Sequence, residues 1–150
     1  MLAIIGGRPE RFAGHVDLYF RALEQFGQPI GPVGQHSLGL IAETDEEAAD
    51  TWWTYWMPVV EKLGKERGFY APTRERYDAE LSTGALFVGS PETVAQKIAG
   101  VARSLQLSRF DLKYDVNLLP VAARARTIEL LGREVRPRVL ELLAREPQNA

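Results

Sequence analysis

The chain has 150 residues, with 18 basic and 20 acidic side chains and no cysteine. A net charge of −2 gives no basic surplus for nucleic acid, and no apolar run reaches the ~20 residues of a membrane span. The absence of cysteine excludes disulfides and thiolate metal sites, and two histidines leave little for another metal centre. The length predicts one domain over residues 1–150. The apolar start is too short for a signal peptide, which predicts a cytoplasmic protein.

The first half of the chain is predicted to alternate strands with helices. Residues 2–5 form a short apolar strand, and Pro9 opens the helix that follows it. A second strand is predicted at residues 33–42. Thr44 then serves as the N-cap of a long helix. We expect Pro58 to kink this helix, because proline lacks the backbone N–H and its ring crowds the preceding turn.

The second half repeats the alternation after a helical insertion over about residues 45–84. Ser90 and Pro91 are typical of the N-cap and first position of a helix. Residues 109–116 are predicted to form the third main strand, and the last long helix tolerates Pro137 by a kink or a break. Strands that alternate with helices favour parallel βα units. We therefore predict an α/β fold with three such units.

Three segments of the chain carry a resemblance to a known family. They are residues 2–12 (LAIIGGRPERF), residues 85–98 (ALFVGSPETVAQKI) and the stretch 109–137, which contains RFDL and TIELLGREVRP. In this order they resemble the C-terminal part of the luciferase-like monooxygenases, which are flavin- or deazaflavin-dependent enzymes built on a (β/α)8 TIM barrel. The resemblance implies that the three main strands correspond to barrel strands six, seven and eight. It also implies that the insertion lies near the mouth of the active site.

The resemblance further implies that the sheet of this chain is incomplete. A whole (β/α)8 barrel needs ~250 residues, and barrel strands one to five have no counterpart in the sequence. Open edges of parallel strands tend to pair with further strands. We therefore expect a homo-oligomer, or pairing with a separate N-terminal barrel half.

The activity that the resemblance implies is an oxidoreductase or monooxygenase reaction on a small organic substrate, with FMN or a deazaflavin as cofactor. A reduced flavin reacts with dioxygen itself, so the protein supplies orientation and shielding and needs no catalytic triad. The alternative is a non-catalytic α/β module that kept this part of the fold and associates with itself or with a partner.

The candidate cofactor-binding residues are Gly6, Gly7, Arg8 and His36. Active sites of such barrels lie at the C-terminal ends of the strands. There the glycine pair would let backbone amides approach a phosphate, and Arg8 would add charge. The alternative for the glycines is a tight turn, which also needs them. His36 would bond the flavin or the substrate, or else is a core imidazole, and Ser37 must point to the opposite face of the strand.

The candidate substrate-pocket residues are Trp52, Trp56, Asp115 and Asn117. The two tryptophans belong to an aromatic cluster of the insertion that would cover the cofactor or the substrate, or else forms core or interface. Asp111, Lys113 and Asp115 alternate with apolar residues, so they are predicted to share one face of the third main strand. In a closed barrel this charged face would lie inside, whereas at an open edge the charges would keep the strand soluble.

Overall fold

Four parallel strands form the sheet in the part of the chain that the structure describes. The computed structural model describes residues 2–5, 8–83, 85–115 and 119–145, with the backbone alone for residues 2–5. The strands are β1 (Leu2–Ile5), β2 (Val33–Ile41), β3 (Phe87–Gly89) and β4 (Arg109–Lys113). The predicted α/β fold with parallel strands is confirmed.

β2 lies at the centre of the sheet and pairs with each of the other strands. β1 pairs with its first half, where Ile5 lies opposite His36. β4 pairs along the other edge of that half, and its last pair places Lys113 opposite Leu38. β3 pairs with the last three residues of β2. The C-terminal ends of all four strands therefore point in the same direction.

Helices connect the strands as the alternation predicts. A 3-10 turn (Pro9–Phe12) leads into α1 (Ala13–Gln25), and the insertion consists of α2 (Asp45–Arg67) and α3 (Arg74–Ser82). α4 (Pro91–Ser104) joins β3 to β4. After β4 come α5 (Val121–Leu130), a π-helical turn (Leu131–Val135) and α6 (Arg136–Ala144).

The two predicted helix caps are present. The Thr44 hydroxyl accepts a hydrogen bond of 3.1 Å from the Glu47 N–H at the start of α2. The Ser90 hydroxyl accepts one of 3.4 Å from the Thr93 N–H at the start of α4. Each bond satisfies one of the backbone donors that a helix start leaves without an intrahelical partner.

The two internal prolines have different consequences. Pro58 does not end α2, which continues as a helix to Arg67. The π-helical turn Leu131–Val135 comes directly before the proline at position 137. In a regular helix the ring of Pro137 would meet the carbonyl of residue 133, and the wider π turn relieves that crowding.

Two apolar cores cover opposite faces of β2. The helix-side core contains Val33 and Ile41, and the outer helices α1, α4, α5 and α6 pack on it. The insertion-side core contains Leu40 together with Trp52 and Tyr77 of the insertion. Because side chains alternate along a strand, odd-numbered residues of β2 face the outer helices and even-numbered residues face the insertion or solvent.

β4 is shorter than the strand predicted at residues 109–116, and that prediction was too long. The strand ends at Lys113, so Asp115 lies beyond it. The Thr127 hydroxyl of α5 accepts a hydrogen bond of 3.2 Å from the Ile41 N–H and donates one of 3.1 Å to the Ile41 carbonyl. These bonds occupy backbone groups of β2 that a longer β4 would otherwise pair with.

Candidate functional site

Part of one face of the sheet is left uncovered by the described residues, and we call this part the open face. It consists of His36 and Leu38 of β2 with Arg109, Asp111 and Lys113 of β4. The β4 residues lie here because Phe110 and Leu112, which alternate with them, pack into the helix-side core. The predicted alternation is thus confirmed within β4. Ser37 is 1% exposed on the opposite face from His36, as predicted.

His36 is an exposed side chain that lies level with the end of β1. Its neighbour on one side is Ile5, the last residue of β1, and its neighbour on the other side is Asp111 of β4. Arg8, which is exposed, follows Ile5 by three residues. Three extended residues span at most about 10–11 Å, so the Arg8 backbone stays close to the His36 end of the sheet. Gly6 and Gly7 lie outside the described residues.

The aromatic cluster of the insertion belongs to the insertion-side core and is partly exposed at one edge. Trp52 is 0% exposed and stacks on half-buried Trp56, with 6.2 Å between ring centroids. The Trp52 indole N–H has no acceptor among the described residues. Trp53 packs on Tyr77 at 5.0 Å, and the Arg74 guanidinium lies 5.5 Å from both of those rings. Of the two candidate pocket tryptophans, Trp56 is the one that reaches solvent.

The remaining candidate pocket residues follow β4. Asp115 is exposed, and its carboxylate lies 3.5 Å from Nη1 of Arg124 in α5. This ion pair joins the end of β4 to the next helix. Asn117 lies outside the described residues.

Arginines bind the carboxylates at and around the open face. Nε of Arg109 donates to both carboxylate oxygens of Asp111, at 3.0 and 2.9 Å. Nε of Arg126 donates to Glu43, which follows β2, at 2.7 Å. Exposed pairs of this kind stabilise a fold by about 0–1 kcal/mol each. The carboxylates of Asp111, Asp115 and Glu43 are therefore paired with arginines. Lys113 forms no ion pair among the described residues.

Sequence reasoning missed the contact that fixes the start of the insertion. Asp45, the first residue of α2, accepts a hydrogen bond of 2.6 Å from the Ser90 N–H and one of 2.9 Å from the Thr93 hydroxyl. Partial burial raises the pKa of the Asp45 carboxyl, but these hydrogen bonds outweigh it, so the net pKa is lowered. No local pattern signals this contact, because the two helix starts are far apart in the sequence.

Lys97 makes a second contact of this kind. Its ammonium group donates to the backbone carbonyls of Leu81, Leu86 and Val88, at 2.7, 3.2 and 3.4 Å. Burial lowers the pKa of Lys97, and the Asp45 carboxylate opposes that shift. Together the two residues attach α4 to the insertion and to β3.

A groove of about 970 Å³ lies at the opposite end of the sheet, lined by Val16 and Phe20 of α1 and by Val33 at the start of β2. Barrel enzymes bind their substrates at the C-terminal ends of the strands, so this groove is not the candidate site. Within the described ranges, histidines and carboxylates form no group that could hold a metal ion. None of the helices described is both long and apolar enough to cross a bilayer.

Comparison with known proteins identifies the fold. No protein-family model and no curated protein sequence matches the chain. Among solved structures, monooxygenase RslO1 from Streptomyces bottropensis is similar with a TM-score of 0.77 and 16% identity, over 90% of this chain and 40% of that one. The oxygenating constituent of 3,6-diketocamphane monooxygenase from Pseudomonas putida, in complex with FMN, has a TM-score of 0.67 and 18% identity, over 91% and 42%.

A third similar structure is the coenzyme F420-dependent tetrahydromethanopterin reductase from Methanopyrus kandleri. It has a TM-score of 0.57 and 16% identity, over 91% of this chain and 45% of that one. The chain therefore spans less than half the length of these three structures. The resemblance to luciferase-like monooxygenases is confirmed at the level of the fold, and the chain has the fold of part of a luciferase-like (β/α)8 barrel.

Proposed function

We propose that the chain forms the part of a flavin- or deazaflavin-dependent oxidoreductase that corresponds to barrel strands six to eight, and that it acts on a small organic substrate. The open face carries this proposal, because polar side chains there lie beside the C-terminal end of β1 in a fold shared with monooxygenases. One similar structure is a complex with FMN and another is named for coenzyme F420. Both facts support this cofactor class.

The chemistry of the described side chains suits such a cofactor. The His36 imidazole can donate or accept a hydrogen bond at a ring carbonyl or ring nitrogen, and the Arg8 guanidinium suits a phosphate. We propose the Gly6 and Gly7 amides as further donors at the same strand end. When bound, the flavin supplies the redox chemistry. This chain orients the ring and helps to exclude water.

The proposed substrate pocket lies between the insertion and the end of β4. Trp56 contributes an aromatic surface, with Trp52 buried behind it. Asp115 would contribute a polar group on the other side. We propose Asn117, which follows two residues later in the sequence, as a further pocket residue. We further propose that residues 1–150 fold as one domain around the two cores that share β2.

Fluorescence titration tests the proposed function. FMN and a deazaflavin are each added to the folded chain, and the change in cofactor fluorescence is followed. We expect saturable binding of one of them. The absence of binding at high micromolar cofactor, in a sample whose circular dichroism shows a folded α/β protein, would exclude the enzyme function for this chain alone.

A non-catalytic module that self-associates is the second candidate function. The observation that favours it is that β1 and β4 each pair only with β2 among the described residues, which leaves one edge of each strand open. Further strands from a second copy, or from a separate N-terminal barrel half, would cover these edges. Light scattering over a concentration series distinguishes a monomer from a self-associated oligomer. A stable monomer with well-protected amides at Leu2–Ile5 would contradict this association.

A further inference from the structure

Lys113 is a cation on the open face without a counter-charge in the described part of the chain. It is exposed, and it lies on the same face as His36. The two carboxylates nearest to it in sequence are bound by arginines: Asp111 by Arg109 at 2.9 Å, and Asp115 by Arg124 at 3.5 Å. These five charged groups of β4 and its surroundings therefore carry a surplus of one positive charge.

Two features separate Lys113 from an ordinary surface lysine. It lies directly opposite Leu38, a half-buried residue packed against the insertion-side core, so its immediate neighbour on the sheet is apolar. It also lies on the face of the sheet that lines the interior in a closed barrel. Removing an ammonium group from water is strongly unfavourable in free energy unless an anion pairs with it. Asp111 and Asp115 are not available for that role, because each is already paired with an arginine.

We propose that Lys113 determines ligand specificity by pairing with an anionic group of the molecule bound on the open face. The rest of that molecule is apolar, because it lies against Leu38 and toward the aromatic edge at Trp56. The ligand class is thus an organic anion with an apolar body. The anionic group is a carboxylate of the substrate, because the phosphate of a flavin is joined to a polar ribityl chain and does not fit this class. This inference rests on the proposed function only in placing a ligand on the open face.

Two pairs of probes distinguish a substrate carboxylate from the phosphate of a flavin. FMN and riboflavin differ by the phosphate, and 2-naphthoate and 2-naphthamide differ by the charge of the carboxyl-derived group. Each probe is titrated by fluorescence against the wild-type chain, the variant Lys113→Met and the control Lys62→Met, which removes an exposed lysine of α2. Circular dichroism and thermal unfolding establish that each variant is folded, and Lys113→Gln replaces Lys113→Met if the latter is not.

The wild-type chain should prefer 2-naphthoate to 2-naphthamide by about tenfold, the scale of one charge-assisted hydrogen bond. Lys113→Met should abolish that preference, Lys113→Arg should restore it, and Lys62→Met should retain it. The FMN and riboflavin pair should show no difference in affinity that depends on Lys113.

Four outcomes would overturn the inference: no binding of either naphthyl probe, no preference for 2-naphthoate over 2-naphthamide, a preference that persists in Lys113→Met, or a preference for FMN over riboflavin that Lys113→Met abolishes. Failure of the proposed function looks different. In that case FMN, riboflavin and the deazaflavin all fail to bind the wild-type chain, while the naphthyl pair still reports whether Lys113 selects an anion.

Discussion

The Thr127 hydroxyl hydrogen-bonds both backbone groups of Ile41 at one edge of β2. It accepts from the Ile41 N–H at 3.2 Å and donates to the Ile41 carbonyl at 3.1 Å. The carbonyl of Val33 accepts from the Ser108 N–H, just before β4. Residues an even number of positions apart on a strand direct their backbone groups to the same edge. Ile41 therefore faces the edge occupied by β4, beyond the end of that strand at Lys113.

Substitution of Thr127 by valine should destabilise the fold by about 1–3 kcal/mol, because two buried backbone groups of Ile41 lose their partner while the side-chain volume is kept. Urea unfolding followed by circular dichroism measures this change. Thr127→Ser is the matched control, since it retains the hydroxyl and should cost less. An unfolding free energy for Thr127→Val equal to that of the wild type would show that Ile41 finds another partner.

Asp45→Asn should lower the unfolding free energy by about 1–2 kcal/mol at neutral pH, since charge-assisted hydrogen bonds to Ser90 and Thr93 become neutral ones. The folded-state pKa of Asp45 lies below its ordinary value of 3.8. Its contribution is therefore present above that value and is lost as the pH falls through the folded-state pKa. The difference between the variant and the wild type should shrink as the pH falls below 3.8.

Glu46→Gln is the control for that experiment, because it removes a neighbouring carboxylate in the first turn of the same helix. Its effect should be within about 0.5 kcal/mol. A difference between Asp45→Asn and wild type that stays constant across the acid range would contradict the assignment to the carboxylate.

Gly39→Ala should destabilise the sheet by about 1–3 kcal/mol. A Cβ at this position would collide with the Phe87 carbonyl oxygen and lie 2.6 Å from Cδ1 of Leu112. Gly34 on the same strand is the matched control, because a Cβ there would meet Arg109 at an ordinary 3.7 Å. Thermal unfolding should show a large drop for Gly39→Ala and a small change for Gly34→Ala. Equal melting temperatures for the two variants would show that β3 can move away from a side chain at position 39.

Trp52→Ala should cost about 3–5 kcal/mol, because it empties the centre of the insertion-side core. Trp52→Phe should cost much less, since it keeps an aromatic ring and removes an indole N–H that has no acceptor among the described residues. Chemical denaturation of both variants measures the difference. A cost for Trp52→Phe close to that of Trp52→Ala would indicate that the indole N–H has a partner.

His36→Ala should weaken binding of the proposed cofactor, FMN or a deazaflavin, about tenfold, the scale of one hydrogen bond to a polar ligand group. The unfolding free energy should change by no more than about 0.5 kcal/mol, because the side chain is exposed. His15→Ala, on the exposed surface of α1, is the control and should leave binding unchanged. Unaltered affinity of His36→Ala for the cofactor that binds the wild-type chain would remove His36 from the proposed cofactor site.

Local signals in the sequence predicted most of the architecture. Alternating side chains identified the two faces of β4, and Thr44 and Ser90 identified two helix starts. These signals work at this range because capping and strand alternation depend on residues within a few positions of each other. The length of β4 was predicted incorrectly. Thr127 binds the backbone of β2 where a longer β4 would pair, and it lies far from β2 in the sequence.

The sequence by itself determined which residues are apolar, which helix starts are capped and which face of β4 is charged, because these properties depend on neighbouring residues. The tertiary structure alone decided that His36 lies beside the end of β1, that arginines bind the carboxylates near Lys113, and that Asp45 joins two helix starts. Each of these relationships joins segments far apart in the chain. Their geometry depends on strand register and helix packing, which no local pattern specifies.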